Sequence, residues 1–452
     1  MHGALLPNTN RVLFFGYGDT RDDLSRVWDY STAAGAFLAP GNQPFDVTVP
    51  VHSRPLANIW SAEHAYLNDA NGTLLVHGGF TPRESFLFHP TTLLWSRVPP
   101  TAEGRFYSTT LTLADGRLVT LFGSAMPGPT STSFEVFNPA TNTWSPPIAA
   151  PLPAMAHHQF YPWTYLLPSG KLFIAGPHVP TQRFDWNPAV ANLESFPTLA
   201  GNRSSVGEKG TSVLLPLRPP AYAPSVLIAG GDPGPAQKTA EIIDLSAAMP
   251  AWTALPNLNR PRAQQVNTVL LPDGRVFLAG GIDGPDGGPA EIFDPRHPVA
   301  GWVQCATMAT PRGYHSAAIL LADGSVLMGG DKPGAWKSGE TTPHERYFPS
   351  YYTLARPVIT AAPATTTYGA DFGIQTPNPA GIAEVVLIRP GAVTHGWNMS
   401  QRFVECAIVG GNAGSVRAQA PPNGNVAPPG YYLLFIVSAG RVPSVARWIR
   451  LT

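Results

Sequence analysis

The sequence predicts an all-β protein: a seven-bladed propeller over residues 1–352, followed by an immunoglobulin-like β-sandwich over 353–452. Three observations carry this expectation. A strand–turn–strand phrase recurs at regular spacing through the first three quarters of the chain, helical patterning is nearly absent, and the repeat stops near Tyr352. The 50 prolines and 44 glycines among 452 residues indicate many turns. With 44% hydrophobic and 10% aromatic residues, the chain can still bury a large core.

The first repeated phrase is a short apolar run, a glycine-containing turn, and an apolar strand ending in glycine. It reads LLPNTNRVLFFG (5–16), YLNDANGTLLVHGG (66–79), LTLADGRLVTLFG (111–123) and YLLPSGKLFIAG (165–176), then APSVLIAGG (223–231), VLLPDGRVFLAGG (269–281) and ILLADGSVLMGG (319–330). From Gly16 to Gly330 the chain covers 314 residues in six steps, about 52 each, near the kelch period of about 50. Asn-Gly and Asp-Gly between apolar runs are hairpin turns.

A second phrase trails the first: ESFLFHPTTLLW (84–95), SFEVFNPATNTW (133–144), AEIIDLSAAMPAW (240–252) and AEIFDPRHPVAGW (290–302), with RVWDYSTAAGAF (26–37) a weaker copy. It reads as an outer hairpin whose tryptophan (Trp95, Trp144, Trp252, Trp302) packs between neighbouring sheets. Seven units make seven four-stranded blades around a channel, and no single unit can bury its own faces. Beyond a Pro/Ala/Thr-rich stretch (356–367), about a hundred residues of short strands fit a sandwich.

Composition excludes several function classes. Charged residues make up 13% of the chain and the formal net charge is zero, which disfavours a nucleic-acid partner. No run of about 18 apolar residues is available to span a membrane, and no signal peptide is visible at the start. Cys305 and Cys406 are too few for a disulfide framework or a thiolate metal cluster.

Aligning the units on the residue before the turn glycine (Asp115, Ser169, Asp273, Asp323) brings Tyr107, Tyr161, Gln265 and His315 to one position, eight residues earlier. The longer turn of the second unit leaves Ser61 or Glu63 as its equivalent. Such positions lie at one height around the propeller axis. Their polar side chains therefore face the channel near one mouth, as a cluster of metal-ligand or hydrogen-bonding type. Tyr314 and His315 are adjacent, so both can serve one site only where the backbone has not settled into a strand. Gly313 permits that. His52, His77, His157, His158, His178 and His344 read as structural or solvated. The glycosylation sequons at Asn202 and Asn398 are short patterns with many chance matches.

Three motifs resemble the copper-radical oxidases, the galactose oxidase and glyoxal oxidase family, over nearly the full chain. GRFYSTT (104–110) is similar to the family's equatorial-tyrosine motif and RGYHSAAILLADG (312–324) to its axial Tyr-His motif. VTHGWNMSQR (393–402) is similar to the second-domain loop that inserts a histidine into the channel. The resemblance implies one copper ion per chain, held by Tyr107, Tyr314, His315 and His395, a set of nitrogen and phenolic oxygen donors that suits tetragonal Cu(II). It further implies a tyrosyl radical on Tyr107, proton acceptance by Tyr314, and oxidation of a primary alcohol, aldehyde or carbohydrate by O2 with release of H2O2.

The chain departs from that family in two places. The family's thioether cysteine corresponds to Ser61 within NIWSAEHAYL (58–67), so no Tyr-Cys thioether is expected. The stacking tryptophan of galactose oxidase corresponds to Ala125, and Trp397 is a candidate replacement shield. Glu63 is a candidate extra carboxylate, and Ser61, Tyr161 and Gln265 are candidate neighbours of the metal. Two other functions compete with the oxidase: a copper protein without turnover, and a non-catalytic propeller binding carbohydrate or protein. A hydrolase ranks last, since no carboxylate pair or nucleophile motif is present. The family suggests a secreted or periplasmic monomer.

Overall fold

The computed structural model describes residues 1–16, 24–31, 35–44, 58–125, 128–131, 133–149, 160–186, 192–204, 209–281, 288–330 and 344–452. His52, His157 and His158 lie outside them. Seven small antiparallel sheets follow one another along the chain, each beginning with an inner hairpin built on the first repeated phrase. In blade 6, Val266–Leu270 pairs with Val276–Gly280, then Pro289–Phe293 and Trp302–Thr307 complete four strands. Blades 2, 4 and 5 have the same four-stranded form, and blade 3 carries a fifth short strand. Among the described residues blade 7 has three strands: Ser316–Leu320, Val326–Gly330 and Glu345–Tyr347.

The turn chemistry explains the inner hairpins. Gly116, Gly170, Gly274 and Gly324 all sit at φ between +82° and +87°, a conformation open to glycine at little cost. The preceding Asp115, Asp273 and Asp323 cap the turn by accepting the N–H two residues on, at 3.0–3.1 Å. Apolar residues of the paired strands fill the spaces between blades and are almost wholly buried.

The outer-strand tryptophans staple each blade to the one before it. The indole N–H of Trp95 donates to Ser25 Oγ (2.9 Å), that of Trp144 to Ser85 Oγ (3.1 Å), and that of Trp252 to Thr181 Oγ1 (2.9 Å). Trp302 donates to the Pro256 carbonyl at 3.1 Å. A buried indole needs such a partner, so these rings are both packing and registration elements.

A second staple was not legible in the repeats. In blades 3, 5, 6 and 7 an arginine just ahead of the inner strand meets a glutamate on the third strand. Arg105 reaches Glu135 (2.8 Å), Arg262 reaches Glu291 (2.8 Å), and Arg203 and Arg312 meet Glu241 and Glu345 likewise. Each guanidinium also donates to a carbonyl at the end of the second strand, as Arg262 does to Gly280 O (2.6 Å). The carboxylates accept backbone N–H groups of the entering loop, such as Asn259 N on Glu291 (2.8 Å) and Ala102 N on Glu135 (2.6 Å). Arg105 and Arg312 each lie two residues before a tyrosine of the candidate site, so these pairs hold the loops that deliver it.

The C-terminal part is a sandwich of seven strands in one hydrogen-bonded path. The 11-residue strand Arg402–Asn412 belongs to both layers. Its first half pairs with Ile382–Arg389 and its second half, from Ala407 on and with a register shift between Ile408 and Gly410, with Ser415–Gln419. Cys406 is buried in this core, and neither it nor Cys305 forms a disulfide.

Between the first two long strands the chain leaves the sandwich as a hairpin, Ala392–Thr394 and Trp397–Asn398. It enters the propeller and pairs with the innermost strand of blade 1, His2–Leu6, in the register His2↔Thr394 and Ala4↔Ala392. Blade 1 thus becomes a six-stranded sheet shared between the two parts of the chain.

Replacing Glu291 by alanine strands the Arg262 guanidinium in a dry interface. Removing one partner of a buried pair typically costs about 3–5 kcal/mol. We expect Glu291→Ala to lower the unfolding free energy by that order in urea denaturation, with Glu291→Gln losing less.

Candidate metal centre

The hub residues share an unusual backbone. Ser61, Tyr107, Tyr161 and His315 have φ of 60°, 62°, 42° and 61°, in the left-handed region that side chains other than glycine seldom adopt. This resolves the alignment of the second unit, because Ser61, not Glu63, shares the conformation of the other three. The segments are laced together: Tyr107 N donates to Ser61 O (3.3 Å) and Tyr161 N to Tyr107 O (2.7 Å). Non-glycine residues at positive φ cost energy, and such strain collects at functional sites.

His395 arrives from the opposite direction, at the tip of the sandwich hairpin, also at positive φ (51°) and followed by Gly396 at 72°. A side chain on Gly396 would meet Gln265 and Val266 backbone atoms at 2.9 Å, so glycine is required there. Gly396 N donates to Ser316 O (3.3 Å), and Gln401 accepts from Leu270 N and donates to Thr268 O. The tip is therefore clamped between the inner strands of blades 6 and 7.

Four side chains converge on one point. The phenol oxygens of Tyr107 and Tyr314 are 2.7 Å apart. The rings of His315 and His395 stand at right angles (86°) with centres 4.6 Å apart, and His395 lies 4.9 Å from Tyr107 and 5.6 Å from Tyr314. A metal about 2.0 Å from an imidazole nitrogen lies about 3.2 Å from the ring centre, so two imidazoles cis on one ion have centres about 4.5 Å apart. The observed pair fits that spacing. Burial holds both imidazoles well below the usual histidine range, which keeps them in the neutral, ligating form.

His395 supplies a second test of fit. Its Nδ1 lies 2.7 Å from Thr394 Oγ1, whereas its buried Nε2 has no hydrogen-bond partner among the described residues. A threonine oxygen accepting from Nδ1–H fixes the tautomer and turns the Nε2 lone pair to the cluster. Two neutral nitrogens and two phenols, with an orphaned acceptor among them, suit a tetragonal N/O metal such as Cu(II).

The neighbouring residues divide. Gln265 Oε1 accepts from His315 N (2.6 Å) and so fixes the loop that carries that ligand. Tyr161 walls the cluster, its ring 4.8 Å from both Tyr107 and His395, while its hydroxyl donates to Ala62 O (2.8 Å). Ser61 is fully buried and its hydroxyl has no partner among the described residues.

Two expectations are corrected. Trp397 is not a shield over Tyr107: the tight turn at His395-Gly396 separates it from the site, and on the returning strand its ring meets Tyr165 (5.3 Å). The indole against the cluster is Trp60, edge-on to His315 at 4.9 Å. It begins an aromatic chain through Phe80 and Phe106 (5.0 and 5.1 Å) to Tyr107 (4.3 Å). Sequence reasoning also missed His2 and His64, which lie edge to face beneath His395 at 6.1 and 5.8 Å successive spacings. The polar start of HGALL was the one signal for His2, and His64 gave only its place beside Glu63 in NIWSAEHAYL.

Glu63 does not join the cluster either. One residue out of phase with the site-facing positions, it points between blades 2 and 3, where Ser108 and Thr120 donate to Oε1 and His77 Nε2 lies 3.0 Å away. Burial pushes its carboxyl up to about 8 and holds His77 well below its usual range, so both are neutral at pH 7. The folded state then binds a proton at Glu63 that the unfolded chain has released. Its contribution is complete below the unfolded carboxyl range and is lost as pH rises through about 8. His77 has the opposite sign, contributing above about 6.5 and losing that as pH falls. We expect urea midpoints of Glu63→Gln to fall less than wild type between pH 6.5 and 8, by up to about one proton in slope.

Comparison with known proteins agrees with this architecture. The family described as Glyoxal oxidase N-terminus matches residues 53–351, and the Galactose oxidase-like, Early set domain matches 356–451. Galactose oxidase of Gibberella zeae is 28% identical over 486 residues, covering 99% of this chain and 68% of that protein. Aldehyde oxidase GLOX1 of Arabidopsis thaliana is 27% identical over 527 residues, covering 100% of this chain and 82% of that one. A fungal alcohol oxidase of the AA5 family, solved in complex with copper, superposes with a TM-score of 0.80 at 23% identity, covering 100% of this chain and 96% of that one. With more than half its residues matched, this chain belongs to the glyoxal oxidase family and carries the galactose oxidase-like early set domain at its C-terminal end.

Proposed function

We propose that this chain is a mononuclear copper oxidoreductase that oxidises a primary alcohol or an aldehyde with O2, and that its Tyr107 carries no thioether crosslink. The observation that supports it most is the convergence of Tyr107, Tyr314, His315 and His395, drawn from both parts of the chain, with the spacing of cis ligands. When bound, copper and a one-electron-oxidised Tyr107 together supply a two-electron acceptor, with O2 as the final acceptor and H2O2 as the product.

The protein's own groups divide the remaining work. Tyr107, His315 and His395 hold the ion, while Tyr314 lies at the partly exposed lip of the cluster, within hydrogen-bond reach of Tyr107. An alcohol approaching from the mouth would meet the Tyr314 oxygen first, and with its own proton displaced by a bound metal that oxygen would accept the hydroxyl proton. Phe106 packs on Tyr107, and Phe80 and Trp60 continue that aromatic flank around to His315. Ser61 leaves Tyr107 without the electron-donating sulfur substituent found elsewhere in the family, so its oxidation needs a stronger oxidant. That one substitution favours a second reading, a copper-binding protein with slow or absent turnover.

Reconstitution with copper under anaerobic conditions, followed by electron paramagnetic resonance and a peroxide assay over alcohols and aldehydes, separates the readings. We expect one copper per chain and a drop in copper affinity of at least about 100-fold in His395→Ala. Tyr314→Phe should keep copper while peroxide release falls about 100-fold or more. Protein that takes up no copper would sink both readings. Copper with no peroxide leaves the second. Ser61→Cys then bears on the crosslink: after copper and O2 treatment its mass should drop by the two hydrogens lost when sulfur joins the Tyr107 ring, with faster peroxide release.

A further inference from the structure

Two arginines oppose each other where the His395 hairpin leaves the sandwich. Arg389 closes the strand Ile382–Arg389, Arg402 opens Arg402–Asn412, and the two are direct cross-strand partners. Directly opposed residues share one face of a sheet with Cβ atoms about 5 Å apart, and like charges so placed repel. Both side chains are buried. Arg402 donates to three carbonyls, Val426 O (2.6 Å), Leu166 O (2.8 Å) and Asn425 O (2.6 Å). Arg389 donates to Thr112 Oγ1 (2.8 Å), and its Nε has no partner among the described residues.

Carbonyls and hydroxyls satisfy N–H groups without cancelling charge. Among the described residues no ion pair includes either arginine. Besides one another, the groups acting on them are the phenols of Tyr66, Tyr368 and Tyr432, all held neutral by burial. Burial, aided by the Arg389 charge, pulls Arg402 down only to about 10, so two full positive charges remain at neutral pH. Buried charge left uncompensated in this way is strongly unfavourable.

Beside the pair lies a cavity of about 30 Å³, walled by both arginines and by Thr110, Thr112, Thr164 and Ser400. It has room for one water-sized species and none for a tetrahedral oxyanion. Its lining contains no carboxylate; Thr164 Oγ1 donates away to Pro162 O (2.9 Å) and Thr110 Oγ1 bonds His77 Nε2 (2.9 Å), which leaves the guanidinium groups and the hydroxyls of Thr112 and Ser400 as the donors facing it. We propose that this cavity binds a single halide ion, chloride in ordinary media, which neutralises the Arg389–Arg402 pair and secures the neck of the hairpin carrying His395.

The proposal is independent of copper and is tested on the copper-free protein. Crystals soaked in sodium bromide should show an anomalous peak in contact with Arg389 Nε. The Tm of the wild type should rise by about 1–2 °C between 10 and 300 mM chloride, with sodium gluconate holding ionic strength constant. In Arg389→Met the peak and the chloride dependence should both vanish. Wild-type protein with no anomalous peak and a Tm indifferent to chloride would overturn the proposal and assign the cavity to water. That wild-type result decides the matter even if the variant does not fold.

Discussion

The site depends on one short stretch of β-pairing, the three residues through which the sandwich hairpin extends blade 1. His2↔Thr394, Gly3↔Val393 and Ala4↔Ala392 form a ladder whose two strands come from opposite ends of the chain. In a propeller every inner strand lines the channel wall, so a side chain reaching the axis from below has to come from a separate element. The hairpin is that element. Its two-residue tip needs positive φ at both positions, which glycine satisfies at 396 and which histidine adopts at 395 only against its intrinsic preference. The strain is held by the Gly396–Ser316 hydrogen bond and by the Gln401 contacts to blade 6.

The propeller presents its ligands by a related device. Arg105 stands two residues before Tyr107 and Arg312 two residues before Tyr314, each locked into the third strand of its own blade by a glutamate, buried at Glu135 and half-buried at Glu345. A guanidinium anchored on both a carboxylate and a strand-end carbonyl has no freedom to shift, so the next turn of backbone is placed with it. The same device recurs at Arg203 and Arg262, where the hub residues are Gly210 and Gln265 and no ligand follows. The anchors are thus a property of the repeat, and the chemistry comes from which side chains two of the blades set beyond them.

This division explains what could be read in the sequence. Turn glycines, strand-end glycines and outer tryptophans recur because each blade solves the same packing problem, so seven blades and their register were legible from spacing alone. The shared hub position was legible for the same reason, and it brought out Tyr107, Tyr161, Gln265 and His315 together. The Arg–Glu pairs stayed hidden because their partners lie about thirty residues apart, and the glutamates read as ordinary strand residues of AEIF and AEIID. Glu63 was misplaced by one step of strand alternation and Trp397 by the tight turn between it and His395, geometry that pairing sets and proximity in sequence does not. His2 and Trp60 gave no periodic signal, since each acts once.

Ser61 shows how far ligand geometry and radical tuning can be separated. Its φ of 60° matches Tyr107 and His315, so a serine at this position holds the same strained hub backbone as two of the candidate ligands. Its hydroxyl is buried and lacks a partner among the described residues. A position reshaped around a hydroxyl would offer it an acceptor. One that still has the form of a bonding pocket beside Tyr107 would not. The four convergent side chains owe their placement to the hairpin and the arginine anchors, while residue 61 meets them through its backbone, Ser61 O accepting from Tyr107 N (3.3 Å). Under the proposed function, metal binding persists while the ease of oxidising Tyr107 changes, and one side-chain atom at residue 61 sets that ease.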